Sequence, residues 1–287
     1  MALAIDLLAP LALLAIGYAY ARRCQTLAGN RRAVPVWRQS CFAAGLLVLF
    51  VADSPWLGSI AEEIIVAHMA QHLLIGDVAA LLVVLGLTGP LLQPILALRG
   101  LRWTRWLGNP LIALPLWAFN LYLWHLGALY QGVLDSPGLH LAQHLAFLGF
   151  GVVMWMPLLG PLPTPQWFNF GARLVYLVGV RFCGAVLGNV LAWSGSALYP
   201  DFESGETEWG LSPLADQGAA GSLMMVEGGF VTLGVFAWLF LRWAMQDEES
   251  QRLVELAAAR GVELDRRRAG RAVAAGRTDE LERRLGV

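Results

Sequence analysis

Lysine is absent from the 287 residues, so all twenty basic side chains are arginines. Charge of either sign is scarce, at 14% of residues against the roughly 25% of a soluble domain. Cysteine is limited to Cys24, Cys41 and Cys183, which lie far apart and form no CxxC pair. That gives no basis for a disulfide framework or a thiolate metal clip. The N-terminus lacks the basic stretch and small-residue cleavage site of a signal peptide, so residues 2–21 read as a retained first helix. No soluble domain, phosphate loop or nucleic-acid signature appears.

What is present is apolar sequence. Apolar residues make up 57% of the chain and the mean hydropathy is +0.57. Several runs approach or exceed the roughly 20 residues a helix needs to cross a bilayer. These features predict an all-α, polytopic membrane bundle of seven transmembrane helices over residues 1–245, followed by a charged tail, 246–287. The expected spans are Ala2–Ala21, Trp37–Val51, Ser59–Leu87, Pro110–Gln131, Pro137–Leu159, Gly171–Leu198 and Asp216–Trp243. Pro10, Pro115 and Pro157 fall in or near spans, where neighbouring helices can satisfy the freed carbonyls.

The arginines set the orientation. Arg22, Arg23, Arg31, Arg32 and Arg38 follow the first span, and Arg99, Arg102 and Arg105 follow the third. Arg173 opens the sixth span, and nine more arginines lie beyond Trp243. The alternate loops hold no arginine and carry Asp53, Glu62, Glu63, Asp135, Asp201, Glu203, Glu206, Glu208 and Asp216. The positive-inside rule then places the N-terminus outside and the C-terminus in the cytoplasm. The loop Tyr199–Ala215, acidic and rich in Gly and Pro, reads as a lid, a docking surface or a solvated linker. The tail mixes charge with leucines at helical spacing and predicts one or two helices, serving assembly or solubility.

All five histidines lie in three of these spans. His68-Met69-Ala70-Gln71-His72 has a near-copy in His140-Leu141-Ala142-Gln143-His144, and His125 closes Tyr122-Leu123-Trp124-His125. Residues i and i+4 share a helix face about 6 Å apart along the axis, so each pair aims two imidazoles at one centre. The orientation puts all five at a similar depth near the outer surface. A lone membrane histidine commonly completes an interhelical hydrogen bond, but five at one depth point to a metal site. An i,i+4 pair offers both imidazoles from one side, so it cannot supply both axial ligands of one haem iron. Copper and zinc both fit a histidine-rich site. Met69, Met224 and Met225 are soft donors that would favour Cu(I), although membrane methionines usually serve packing. Among the other intramembrane polar groups, Asp77, Asn120, Arg181, Asn189 and Glu227, Arg181 is positioned to pair with Asp77 or Glu227. Such a pair would fix helix register or form part of a proton or ion relay.

Taken together, the His-Met-x-Gln-His run, the Trp-His of the fourth span and the His-x-x-x-His of the fifth resemble the seven-helix CtaG family of cytochrome c oxidase assembly factors. Asp216-Gln217, with Gly221 and Leu223-Met224 after it, resembles the start of that family's last span. Where the family often has Met-Trp, this chain has Met224-Met225. The resemblance covers roughly residues 1–245. It implies a bacterial plasma-membrane protein that helps assemble a haem-copper oxidase, with His68, His72, His125, His140 and His144 as copper ligands. Its partners would be oxidase subunits or a periplasmic copper chaperone. Two rivals follow from the residues themselves. One is an intramembrane zinc hydrolase with Asp77 or Glu63 as base or ligand, and the other is a haem-binding membrane protein.

Overall fold

The computed structural model describes residues 2–274 and 276–286, with side chains for these except 2–8, 102, 201, 203, 274 and 285. The side chains of Arg102, Asp201 and Glu203, counted above among the loop charges, therefore lie outside the described set, as do the first residues of the first expected span. The described residues form helices joined by loops, without strands. They form two compact units, Met1–Val231 and Thr232–Val287.

In the first unit, α1 (Ala2–Gly29) and α2 (Val36–Ala52) precede a short α3 (Pro55–Glu63). Then come α4 (Ile65–Gly86), α5 (Gly89–Ala97) and a 3-10 segment over Arg99–Gly108. After it, α6 (Pro110–Trp124) and α7 (Gly127–Asp135) lead to the uninterrupted α8 (Pro137–Leu159) and α9 (Phe170–Trp193). A 3-10 turn (Pro200–Phe202) and α10 (Glu203–Glu208) occupy the following loop, and α11 (Pro213–Ala259) begins in this unit.

Four described helices, α4, α8, α9 and α11, are long and apolar enough to cross a bilayer, and six candidate spans result if each bent pair counts as one. Their outward faces carry bare apolar side chains: Val175 and Phe230 are each 73% exposed and Phe182 67%. On a soluble protein such surface would be an interaction patch or a liability; on these helices it is what lipid requires. The chain is an all-helical, multi-pass membrane protein.

The structure moves several expected boundaries, each for a local reason. The third span does not start at Ser59. Ser54 caps α3 by accepting from the Leu57 amide, Pro55 occupies its first turn, and the chain extends at Ile64 before α4 begins. The new helix start is capped from far along the chain: the Asp216 carboxylate accepts from the Ile65 amide at 2.6 Å and the Val66 amide at 3.0 Å. The fourth span likewise breaks at His125, with a 68° bend between α6 and α7. The sixth ends at Trp193 rather than Leu198, and the last helix runs on past Trp243 to Ala259.

Inside α4, Leu74–Ala79 adopts a wider π-helical turn. Such turns are uncommon and concentrate at functional positions. Here it carries Asp77 onto the wall that His72 also lines. The π turn packs on α8 at glycine: a Cβ on Gly151 would sit 2.0 Å from the Gly76 carbonyl oxygen. The two helix backbones are thus in contact one to two turns from both histidine pairs.

The second unit holds the remainder of α11 with α12 (Arg266–Ala274) and α13 (Thr278–Leu285). Leu253, Ala257, Leu264, Ala269 and Leu281 form its small core. Arg252 bridges Glu282 at 2.6 Å and Arg266 bridges Asp247 at 3.1 Å, on exposed surface where such pairs add little stability.

The glycine contact makes a checkable statement about stability. Gly151→Ala should destabilise the protein by about 1–3 kcal/mol, as overpacking does. Gly149→Ala, where an added Cβ meets nothing within 4 Å, should leave the melting temperature unchanged in the same thermal unfolding assay.

Candidate metal centre

The α4–α8 contact brings the two histidine pairs face to face. Within α4 the His68 and His72 rings are 4.2 Å apart, and within α8 the His140 and His144 rings are 4.3 Å apart. Across the interface, His68 faces His140 at 5.7 Å with nearly parallel rings, and His72 meets His144 edge-on at 5.5 Å. His68, His72 and His140 each present a ring nitrogen within 4.8 Å of the other two, a spacing one metal ion can bridge. His68 is fully buried and His72 is 4% exposed.

The unused nitrogens of these rings explain how they are oriented. His68 Nδ1 lies 3.2 Å from the Ala61 carbonyl of α3, and His144 Nδ1 lies 3.0 Å from Asp53 at the end of α2. With the Nδ1 proton donated to these acceptors, Nε2 is left as a lone pair. Nε2 of His68, His140 and His144, and both ring nitrogens of His72, are buried without a protein partner. An imidazole that gives one N–H to a carbonyl or carboxylate and turns its bare nitrogen inward is arranged as a metal-binding histidine is.

His125 is separate from this quartet. It sits at the break after α6, where its Nδ1 lies 2.7 Å from the Leu121 carbonyl and its buried Nε2 has no protein partner. Phe147 neighbours both places, 4.5 Å from the His72 ring and 6.3 Å from that of His125. The sequence places five histidines at one depth; the structure brings four rings face to face and puts His125 on a cavity that His72 also lines.

Several supporting residues were not singled out by spacing. In both His-x-Ala-Gln-His segments the glutamine is buried, and Gln71 donates from Nε2 to the Ala52 carbonyl at 2.8 Å. That bond holds the end of α2 where Asp53 reaches His144. Tyr130 on α7 lies 5.2 Å from the His68 ring and stacks on Tyr199 at 4.0 Å. The one available hint was the acidic character of the loop containing Asp53, which served only to set orientation. Asp216, read as a motif residue of the last span, turns out to cap the helix carrying His68 and His72.

The loop after α9 folds over this end of the unit. Phe202 is buried 6.0 Å from the His68 ring, and Trp209 donates from Nε1 to Glu63 at 2.6 Å. The Tyr199 hydroxyl donates to the His125 carbonyl at 3.0 Å, satisfying backbone freed by the break. Burial pushes the Tyr199 phenol up to about 12, so it keeps the proton that this bond requires. A cleft of about 380 Å³ reaches His140 and His144 and is lined by Asp53 and Glu62 as well. Residues discussed as possible bases are otherwise engaged: Glu63 by Trp209, and Asp77 by Trp155, whose Nε1 donates at 3.0 Å. Asn120 accepts from Trp124, and Asn189 donates to the Ala185 carbonyl and to Met225 Sδ, so both are satisfied locally.

A multi-pass helical membrane protein with buried, inward-turned imidazoles on two facing helices is what fold and site define together. The chain matches the family model for the cytochrome c oxidase caa3 assembly factor (Caa3_CtaG) over residues 16–246, and it belongs to that family. It is also similar to an uncharacterised protein of Mycobacterium leprae, at 25% identity over 256 residues. An uncharacterised protein of Mycobacterium bovis is similar at 24% identity over 251 residues. Each alignment covers 82% of this chain but only 38% of the relative, so the chain spans under two-fifths of the length of these curated proteins. No solved structure matches it.

The Asp53–His144 contact is the most accessible test of the orienting bonds. Asp53→Ala should weaken metal binding about 10–100-fold, the usual cost of losing the partner that orients a liganding histidine. A chelator competition titration on the purified protein measures this, with little change in melting temperature because Asp53 is 31% exposed.

Proposed function

We propose that this protein is a copper-binding assembly factor for a haem-copper cytochrome c oxidase. Membership of the oxidase assembly family supports the role in assembly. The reading of copper rests on one observation: three imidazoles with ligating nitrogens within 4.8 Å, buried and without protein partners. His68, His72, His140 and His144 hold the ion, with His125 beside them. Each i,i+4 pair presents both imidazoles from one side, which suits a bare ion better than the two opposed axial positions of a haem iron. Neutral imidazoles bind copper and zinc well, and the buried thioethers of Met69 and Met224 nearby favour Cu(I).

In this reading seven spans cross the bacterial plasma membrane, with α1 as the first, the N-terminus outside and the tail in the cytoplasm. The cleft bounded by Asp53 and Glu62 then opens to the periplasmic face. A cation is drawn to the acidic mouth and meets His140 and His144 first. It leaves by ligand exchange with a donor from an oxidase subunit or a soluble copper chaperone, so no chemical bond of a substrate is made or broken.

Purified full-length protein should bind copper, and the joint replacement of His68, His72 and His140 by Ala should remove the quartet's share of it in elemental analysis. Cells carrying the same variant should assemble less of the copper-loaded oxidase at low external copper, read as lost oxidase activity. Unchanged copper content in the triple variant would defeat the proposal.

A further inference from the structure

Beyond the histidine quartet lies a cavity of about 60 Å³, walled by α4, α6, α8, α9 and α11. It is large enough for an ion and a few waters, each water needing about 10–15 Å³. His72 belongs to both places: it is one of the quartet and it lines this cavity. On the far wall stands His125 with its unpartnered Nε2, and Met69 and Met224 line the space, 1% and 3% exposed.

The charged groups facing this cavity are Asp77 from the π turn of α4, Arg181 from α9 and Glu227 from α11. Two carboxyl groups and one guanidinium thus share this space. The guanidinium is seated at Gly228, where an added Cβ would collide with its Nη1, and it donates to the Met224 carbonyl at 3.4 Å. It makes no ion pair within 4 Å with either carboxylate among the described residues. Both Glu227 carboxylate oxygens are buried without a protein partner. An uncompensated charge in an apolar interior is costly, and a bound cation removes that cost.

Two imidazoles with two thioethers call for a soft cation. We infer that this cavity is a second, inner Cu(I) position, held by His125, Met69 and Met224, shared with the quartet through His72 and faced by Asp77 and Glu227. The inference rests on the copper reading of the quartet, of which it is the deeper continuation. Copper entering at the acidic cleft then has two stations in series, the first all-nitrogen and the second containing sulfur.

The test uses the full chain in detergent, loaded with Cu(I) under reductant and washed with a chromogenic Cu(I) chelator. Metal content and the copper X-ray absorption spectrum are the readouts. The wild type should hold two ions per chain and show sulfur scattering. Met69→Leu with Met224→Leu, close in volume and so compatible with the fold, should hold one ion and lose the sulfur signal. His140→Ala with His144→Ala should also hold one ion but keep the sulfur signal. Glu227→Gln should weaken the sulfur-containing site at least about tenfold, as loss of a supporting charge does. Two ions in the methionine variant, or a wild-type spectrum without sulfur, would overturn the inner site. A single wild-type ion lost with the His140/His144 variant and kept in the methionine variant would overturn it while leaving the quartet reading intact. A single wild-type ion kept after the histidine changes but lost with the methionine changes would retain the inner site and remove the outer one.

Discussion

Six ring nitrogens on five histidines are buried in this bundle without a protein partner, and the rest of the unit is arranged around that fact. A buried polar group left unsatisfied costs about 1–3 kcal/mol. Six of them together rival the 5–15 kcal/mol by which a protein is stable at all. A fold does not retain such a debt by chance when leucine or phenylalanine would fill the same space. In the proposed copper reading the orphaned nitrogens are the ligand positions, and what surrounds them keeps them bare. Ala61, Asp53 and Leu121 each engage an Nδ1, so in each of those rings the remaining nitrogen turns inward.

This orientation is achieved by long-range bonds at the ends of helices. Asp216 starts α4 from about 150 residues away in sequence, which fixes where His68 and His72 fall on its face. Gln71 holds the end of α2, and that end carries Asp53 to His144. Each of these polar side chains satisfies a backbone or ring group that lipid could not, as an apolar surrounding demands. The bends at Ile64 and His125 are part of the same construction, because each frees backbone groups that the site then uses: Asp216 binds one break and Tyr199 the other.

Much of this was legible in the sequence, and the remainder was hidden for a physical reason. The i,i+4 spacing of His68/His72 and His140/His144 specifies pairs, and loop charge specifies that the pairs share a level; the facing quartet follows from those two facts. Periodicity, however, is blind to anything that interrupts a helix through a distant partner. Ser59–Glu63 continues the hydropathy of the third span, yet the Asp216 cap makes it a separate helix. The π turn carries no marker in composition, since its residues Leu74–Ala79 are as apolar as their neighbours except for Asp77. His125 is equivalent to the other four by depth, and depth does not say which rings meet face to face.

The Gly76–Gly151 contact gives the site its last property. With backbones touching at that point, α4 and α8 have no slack, so the distance between the two histidine pairs is nearly invariant. A site that cannot widen does not release an ion by opening; it releases one only when another donor takes over its coordination. An i,i+4 pair suits that exchange, because one imidazole can let go while its neighbour, a helical turn away, still holds. The four rings are graded for it as well, from His140 and His144 at the acidic cleft to His68 and His72 in the dry interior. Rigidity of the scaffold and lability of the individual bond are thus compatible here, and the proposed transfer of copper needs both.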